Sequence, residues 1–160
     1  MSEVVNIPQL RFPEFSSAWK TSELIDNLDY LSYGFTNPMP ESNSGHYLLT
    51  ARDIKNGKIL YSTARKTTEI AYKSLLTKKS KPELDDILLT KDGTLGRLAI
   101  VDKVGVCINQ SVAVLRPSEN TSAKYLFYLL SSPKYQREML SNAGGSTIKH
   151  IYITVVDKMK

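Results

Sequence analysis

The stretch Leu88 to Val101, LLTKDGTLGRLAIV, places a polar centre between two apolar runs. In that centre Lys91 and Arg97 are cations, Asp92 a carboxylate and Thr94 a hydroxyl, around Gly93 and Gly96. Two glycines three apart let a backbone approach a ligand closely and leave amide N–H groups facing outward. Lysine and arginine can reach guanine O6 and N7, and a carboxylate can accept from the cytosine amino group. As plain structure the stretch is a hairpin turned by Asp92-Gly93, which gives Lys91, Thr94 and Arg97 no task. A second donor-rich stretch, GGSTIKH, carries Ser146, Thr147, Lys149 and His150 behind two glycines. Read as structure alone, it is a helix stop with solvent-facing hydroxyls.

Catalytic motifs are missing. There is no GxxxxGK[ST] phosphate loop, no GxGxxG and no GxSxG elbow. The GTLG letters match the GxxG clamp of KH domains, but that clamp joins two helices and strand-like runs flank this one. His46 and His150 stand without HExxH or any second-ligand spacing, so no metal set is assigned. Cys107 is alone in an apolar run, where a buried small hydrophobe is expected. One enzyme reading survives as an alternative, a small Mg²⁺-dependent nuclease. In it the triplet Asp53-Ile54-Lys55 would hold the metal and polarise a water, with Glu41 as second carboxylate. Against it, such a triplet arises readily by chance, and Glu41 lies in a Pro/Ser/Asn loop.

Charge points toward a polyanion. From Arg52 to Lys81 there are nine lysines and arginines against Asp53 and Glu69, a local charge of +7. The whole chain carries +5, so everything else sums to −2. Charge alone fits a solvated lysine-rich surface equally well; as a polyanion contact, Arg52, Arg65, Lys66, Lys78, Lys79 and Lys81 are the expected phosphate partners.

The elements that must hold these loops follow from periodicity. The opening, IPQLRFPEFSSAWK, reads as an extended arm over residues 1–20 that packs on the body through Phe12, Phe15 and Trp19. TSELIDNLDYL is a short helix passing into a strand, and YGFTNPMPESNSG is a loop. HYLLTARDI is a strand, and Asn56-Gly57 turns a hairpin into ILYST. Ile70, Leu75 and Leu76 suggest one apolar side of a short helix. DDILLT, RLAIV, VGVCI and SVAVLRP are four β-rich runs between turn signals, a sheet meander. TSAKYLFYLLSS shifts to helical spacing, and Ser132-Pro133 opens a second helix that Gly144 and Gly145 end. IKHIYITVV is expected to be a last strand. The class is α+β, a strand-rich mixed sheet with a few short helices. No apolar run nears the roughly 20 residues of a bilayer span, and the N-terminus lacks a secretory pattern, so a cytoplasmic location is expected.

These pieces together resemble a target recognition domain of the DNA specificity subunit of type I restriction-modification systems. PQLRFPEFSSAWK is similar to the family's opening, and GFTNP with YLLTARDIKNGKI to the segment after its first loop. DDILLTKDGTLGRLAIV resembles its central strand pair, with Asp85 where the family usually has glycine, a change expected to tighten the start of that strand. CINQSVAVLRP and GGSTIKHIYITVVDKMK fall where its later strands fall, in the same order.

The resemblance implies a non-catalytic, sequence-specific binder of double-stranded DNA that reads one half of a bipartite site. It implies partner methylation and restriction subunits, with S-adenosylmethionine, ATP and Mg²⁺ belonging to those partners and no cofactor on this chain. Base readout would come from Lys91, Asp92, Gly93, Thr94 and Arg97 and from Ser146, Thr147, Lys149 and His150. Residues 1–160 are expected to form a single recognition domain, without the long spacer helix and the second domain of a full subunit. Such a half-subunit could pair with itself. A pure protein-interaction fragment is the remaining alternative.

Overall fold

The computed structural model describes residues 7–160. A 3-10 turn at Leu24–Asn27 leads into β1 (Leu28–Tyr33). After β2 (His46–Leu49), a 3-10 turn at Ala51–Asp53 leads to the hairpin of β3 (Ile54–Lys55) and β4 (Lys58–Ile59). Next come β5 (Arg65–Thr67), α1 (Glu69–Leu75) and a 3-10 turn at Lys78–Ser80. Then β6 (Ile87–Thr90), β7 (Leu98–Ile100), β8 (Val106–Ile108) and β9 (Val112–Pro117) precede α2 (Ala123–Ser131), α3 (Pro133–Ser141) and α4 (Ile153–Val156). No helix among the described residues is long and apolar enough to cross a membrane.

Two sheets and two helices make three layers. The first sheet is antiparallel, in the order β1-β9-β6-β7. The second, β5-β2-β8, is mixed, since β8 runs parallel to β2. Side chains alternate faces along a strand, so β6 serves both neighbours at once. Ile87 and Leu89 face α2 and α3 with Leu126, Leu130 and Met139, while Leu88 faces Leu49 and Ile108 of the second sheet. All of β6 is buried, which is why ILLT has no polar alternation. At its start, Asp86 is 1% exposed and takes a bidentate pair from Arg116 of β9, at 2.9 and 2.8 Å. That carboxylate hydrogen-bonds the Arg116 guanidinium and raises its pKa above the ordinary value.

The α+β class with mixed sheets and short helices is as expected, and so are the Asn56-Gly57 hairpin, the Ser122 cap of α2 and Pro133 in the first turn of α3. Strand neighbours depart from the meander. β8 leaves the first sheet to join β2, and β9 returns between β1 and β6. The last strand is also absent: after two isolated bridges at His150, to Asp92 and to Gly144, the chain winds into α4. Leu24 N and Ile25 N bond to Met159 O and Asp157 O, so the closing segment is held by the opening one rather than by a sheet edge. The arm does not pack through its aromatics, for Phe12, Phe15 and Trp19 are 73, 64 and 66% exposed. On α1, Ile70 and Leu75 point outward and Ala71 is buried instead, with Leu76 just beyond the helix. The C-cap of α3 is Asn142, so the glycine pair lies in the following loop. Asp85 sits at φ +66°, the left-handed conformation that glycine adopts without strain.

Candidate nucleic-acid interface

The loop between β6 and β7 is closed by the buried Thr90. Its N–H donates to Arg97 O, its carbonyl accepts from Gly96 N and its Oγ1 from Arg97 N, each at 2.9 Å. Gly96 is pressed against α3, where Gln136 Nε2 donates to its carbonyl at 3.0 Å. Gly96 sits at φ +78°, a conformation that glycine adopts without strain, and a Cβ there would displace the end of the Gln136 side chain. Gly93, also at positive φ, has nothing within 4 Å of the place a Cβ would take, and Thr94 beside it is exposed.

The second stretch closes on itself through Gly144 and His150. Gly144 N donates to His150 O at 3.0 Å and His150 N to Gly144 O at 2.7 Å. The closed loop then docks on the first, by an Asp92–His150 bridge and by Ile151 N to Lys91 O at 2.8 Å. Side chains complete the junction. Asp92 Oδ1 accepts from Lys91 Nζ at 2.8 Å and from His150 Nδ1 at 2.7 Å, and Lys91 Nζ lies 5.2 Å from the centre of the Tyr33 ring. Lys91 and Asp92 are only 14 and 18% exposed at the side chain, against 39% for His150.

Two stretches more than fifty residues apart thus form one tip at the end of the first sheet. Gly93, Thr94, Gly145, Ser146, Thr147, Ile148 and Lys149 are its exposed residues. Lys91 and Asp92 are turned into the junction, so neither polar group is free to meet a base without breaking it. Arg97 is half-buried, and its guanidinium donates to Ile54 O at 3.3 Å, tying the tip to β3. Tyr33, Gln136 and Ser111, whose carbonyl accepts from Lys91 N at 2.9 Å, also support the tip and carry no local signal in the sequence.

The basic segment does not form one stripe. Its 3-10 turn with Lys78 and Lys79 packs against β1, whereas the β3–β4 hairpin with Lys55 and Lys58 packs on β7. β1 and β7 are opposite edges of the first sheet. Arg65 pairs with Glu41, Lys66 lies over the Tyr47 ring and Lys81 over that of Tyr72, while Arg52 is exposed. Arg52 follows Ala51, whose N–H donates to Ser111 Oγ at 2.9 Å, so it stands beside the tip.

The carboxylates of the nuclease alternative are already engaged. Asp53 is buried and its Oδ2 accepts from Thr50 N and Thr50 Oγ1, both at 2.8 Å, capping a 3-10 turn. Glu41 is held by Arg65. Among the described residues no three His, Cys, Asp or Glu side chains group as metal ligands. His46 has a packing role: it stacks on Tyr72 at 3.7 Å, bonds Gly105 O through Nδ1 at 2.7 Å and pairs with Glu69. Lys73 and His46 lower the Glu69 pKa through hydrogen bonds. Burial pushes the Cys107 thiol up to about 12, which removes it as a nucleophile at neutral pH.

Comparison with known proteins bears on this geometry. The sequence model described as "Type I restriction modification DNA specificity domain" matches residues 39–160. The chain is 28% identical over 137 residues to the type I restriction enzyme EcoBI specificity subunit of Escherichia coli, which covers 84% of this chain and 28% of that protein. Among solved structures, the type I restriction-modification S subunit of M. genitalium aligns with TM-score 0.58 and 18% identity, over 86% of this chain and 32% of its own. The HsdS subunit of Thermoanaerobacter tengcongensis aligns with TM-score 0.62 and 15% identity, over 96% of this chain and 34% of its own. The chain therefore spans about a third of the length of these relatives, and the solved ones share its fold.

Proposed function

The chain belongs to the type I restriction-modification DNA specificity family, and from that premise we propose that it binds double-stranded DNA sequence-specifically, reading one half of a bipartite site. The observation that carries the reading is the joined tip. Hydroxyls, amide groups and one lysine from two distant stretches are presented together on a rigid sheet end, and a site on rigid elements positions its donors better than a free loop does. In this reading Thr94, Ser146, Thr147 and Lys149 meet base edges or nearby phosphates. Lys91, Asp92 and His150 hold them in place, and Arg97 anchors the base of the tip. Arg52 beside the tip and Lys78 and Lys79 on the β1 edge neutralise phosphates. The chain itself is non-catalytic and directs partner methylation and restriction subunits, which carry S-adenosylmethionine, ATP and Mg²⁺. A cytoplasmic location suits that role, and two copies of the chain could serve the two half-sites.

A single module of this kind buries roughly 600–1,000 Å² on DNA, so the isolated chain should discriminate weakly. The test is co-expression with a type I methylation subunit, followed by mapping of methylated adenines. Methylation at a bipartite motif is expected, and a palindromic one would mean that two copies act together. No methylation, together with no salt-sensitive binding of any duplex by the pure chain, would leave only a protein-interaction fragment.

A further inference from the structure

At the opposite end of β7 from the tip lies an open groove of about 620 Å³ that the preceding reading does not use. Lys58 of β4, Lys103 after β7 and Lys124 of α2 line it, with Tyr61, Phe127 and Tyr128 as aromatic walls. All three lysines are exposed, and Tyr128 is 70% exposed. The one acidic residue in the wall, Asp102, is taken by the Tyr61 hydroxyl. Among the described residues, none of the three lysines makes an ion pair with a carboxylate. Lys103 Nζ instead lies 4.2 Å from the centre of the Tyr61 ring.

The hairpin adds an independent sign. Lys55 and Lys58 are directly opposed in a two-residue ladder, where like charges repel and destabilise the pairing. With Lys103 and Lys124 around that pair and Asp102 as the one carboxylate in the wall, the groove keeps an excess of positive charge that an external anion would neutralise. Three exposed lysines spread along an open groove, walled by the exposed Tyr128 and the half-buried Tyr61 and Phe127, suit the repeated phosphates of a nucleic-acid backbone better than a single small inorganic ion.

We infer that the Lys58–Lys103–Lys124 groove binds the phosphodiester backbone of the same duplex that the tip reads. The inference rests on the DNA-binding reading of the tip. Distance permits it. From Arg97 to Lys103 is six residues, at most roughly 20 Å of extended chain. That is roughly six phosphates of one strand at ~3.4 Å of helix axis each, about half a turn of duplex. The groove therefore extends the contact beyond the bases read, and it adds affinity without adding sequence preference.

The test is binding of the chain to duplexes of varied sequence across a salt series, comparing Lys58→Gln/Lys103→Gln/Lys124→Gln with Lys78→Gln/Lys79→Gln. The triple variant is expected to flatten the slope of log affinity against log salt by up to about 2.7, equally on every sequence. Ethylation of phosphates about half a turn from the recognised bases should weaken the parent chain and not the variant. If the triple variant keeps the full slope while the Lys78/Lys79 variant loses part of it, the groove is not the contact, although the DNA reading stands. A full slope with lost capture of a methylation subunit would also overturn the inference, by making the groove a protein contact. If the unmodified chain binds no duplex, both readings fall together.

Discussion

Replacing Asp92 with alanine separates a carboxylate that reads bases from one that joins two loops. Its Oδ1 accepts from Lys91 Nζ and His150 Nδ1, and the junction also carries the backbone bridge at His150. The Lys91 pair is largely shielded from water, so a charged hydrogen bond there contributes about 1.5–2 kcal/mol. His150 is 39% exposed, and solvent screening limits its share to no more than about 0.5 kcal/mol. Losing both costs about 2 kcal/mol, which for a chain of 160 residues lowers the thermal midpoint by about 4–8 °C. Circular dichroism gives the midpoint, and a panel of duplexes differing at single positions gives the preference. Affinity should fall by a similar factor on every sequence, because each complex must first reorder the tip. An unchanged midpoint with preference lost at one G·C position would refute the argument and return Asp92 to base readout.

Three further outcomes follow from the fold. Arg116→Met strands the buried Asp86 carboxylate and should cost about 3 kcal/mol in urea unfolding, with the added change Asp86→Asn recovering part of it. Asp85→Gly relieves a left-handed residue and should raise stability by about 0.5–1 kcal/mol, whereas Asp85→Val should lower it by about 1–2 kcal/mol. Cys107 should resist thiol reagents in the folded chain and react on unfolding. Because its folded pKa is raised to about 12, the unfolded thiol loses its proton first. The stability this group contributes is complete below the ordinary thiol range and falls by about 1.4 kcal/mol per pH unit above it, up to about 12. Urea midpoints of the parent and of Cys107→Ala across that range check the sign.

What the amino-acid order determined by itself is local or compositional. The Asn56-Gly57 hairpin, the Ser122 cap and the Pro133 start depend on φ preferences and on groups a few residues apart, so they are legible in the chain. The two donor-rich stretches were legible for the same reason, as residue types between recognisable elements. The family itself was legible from five segments in order.

Only the tertiary structure decided how those pieces meet. The Asp92–His150 junction spans 58 positions, and no periodicity encodes a pairing at that separation. It engages the side chains of both Lys91 and Asp92 within the fold. The basic run behaves likewise: adjacent in sequence, its lysines part because strand order sends the hairpin to β7 and the 78–80 turn to β1. Lys103 and Lys124 carry no signal on their own and gain one only beside Lys58. The last segment forms α4 instead of a strand, since its backbone partners are the chain's own opening turn. Charge and donor type are properties of residues, whereas a surface is a property of neighbours, and neighbours are set by long-range packing.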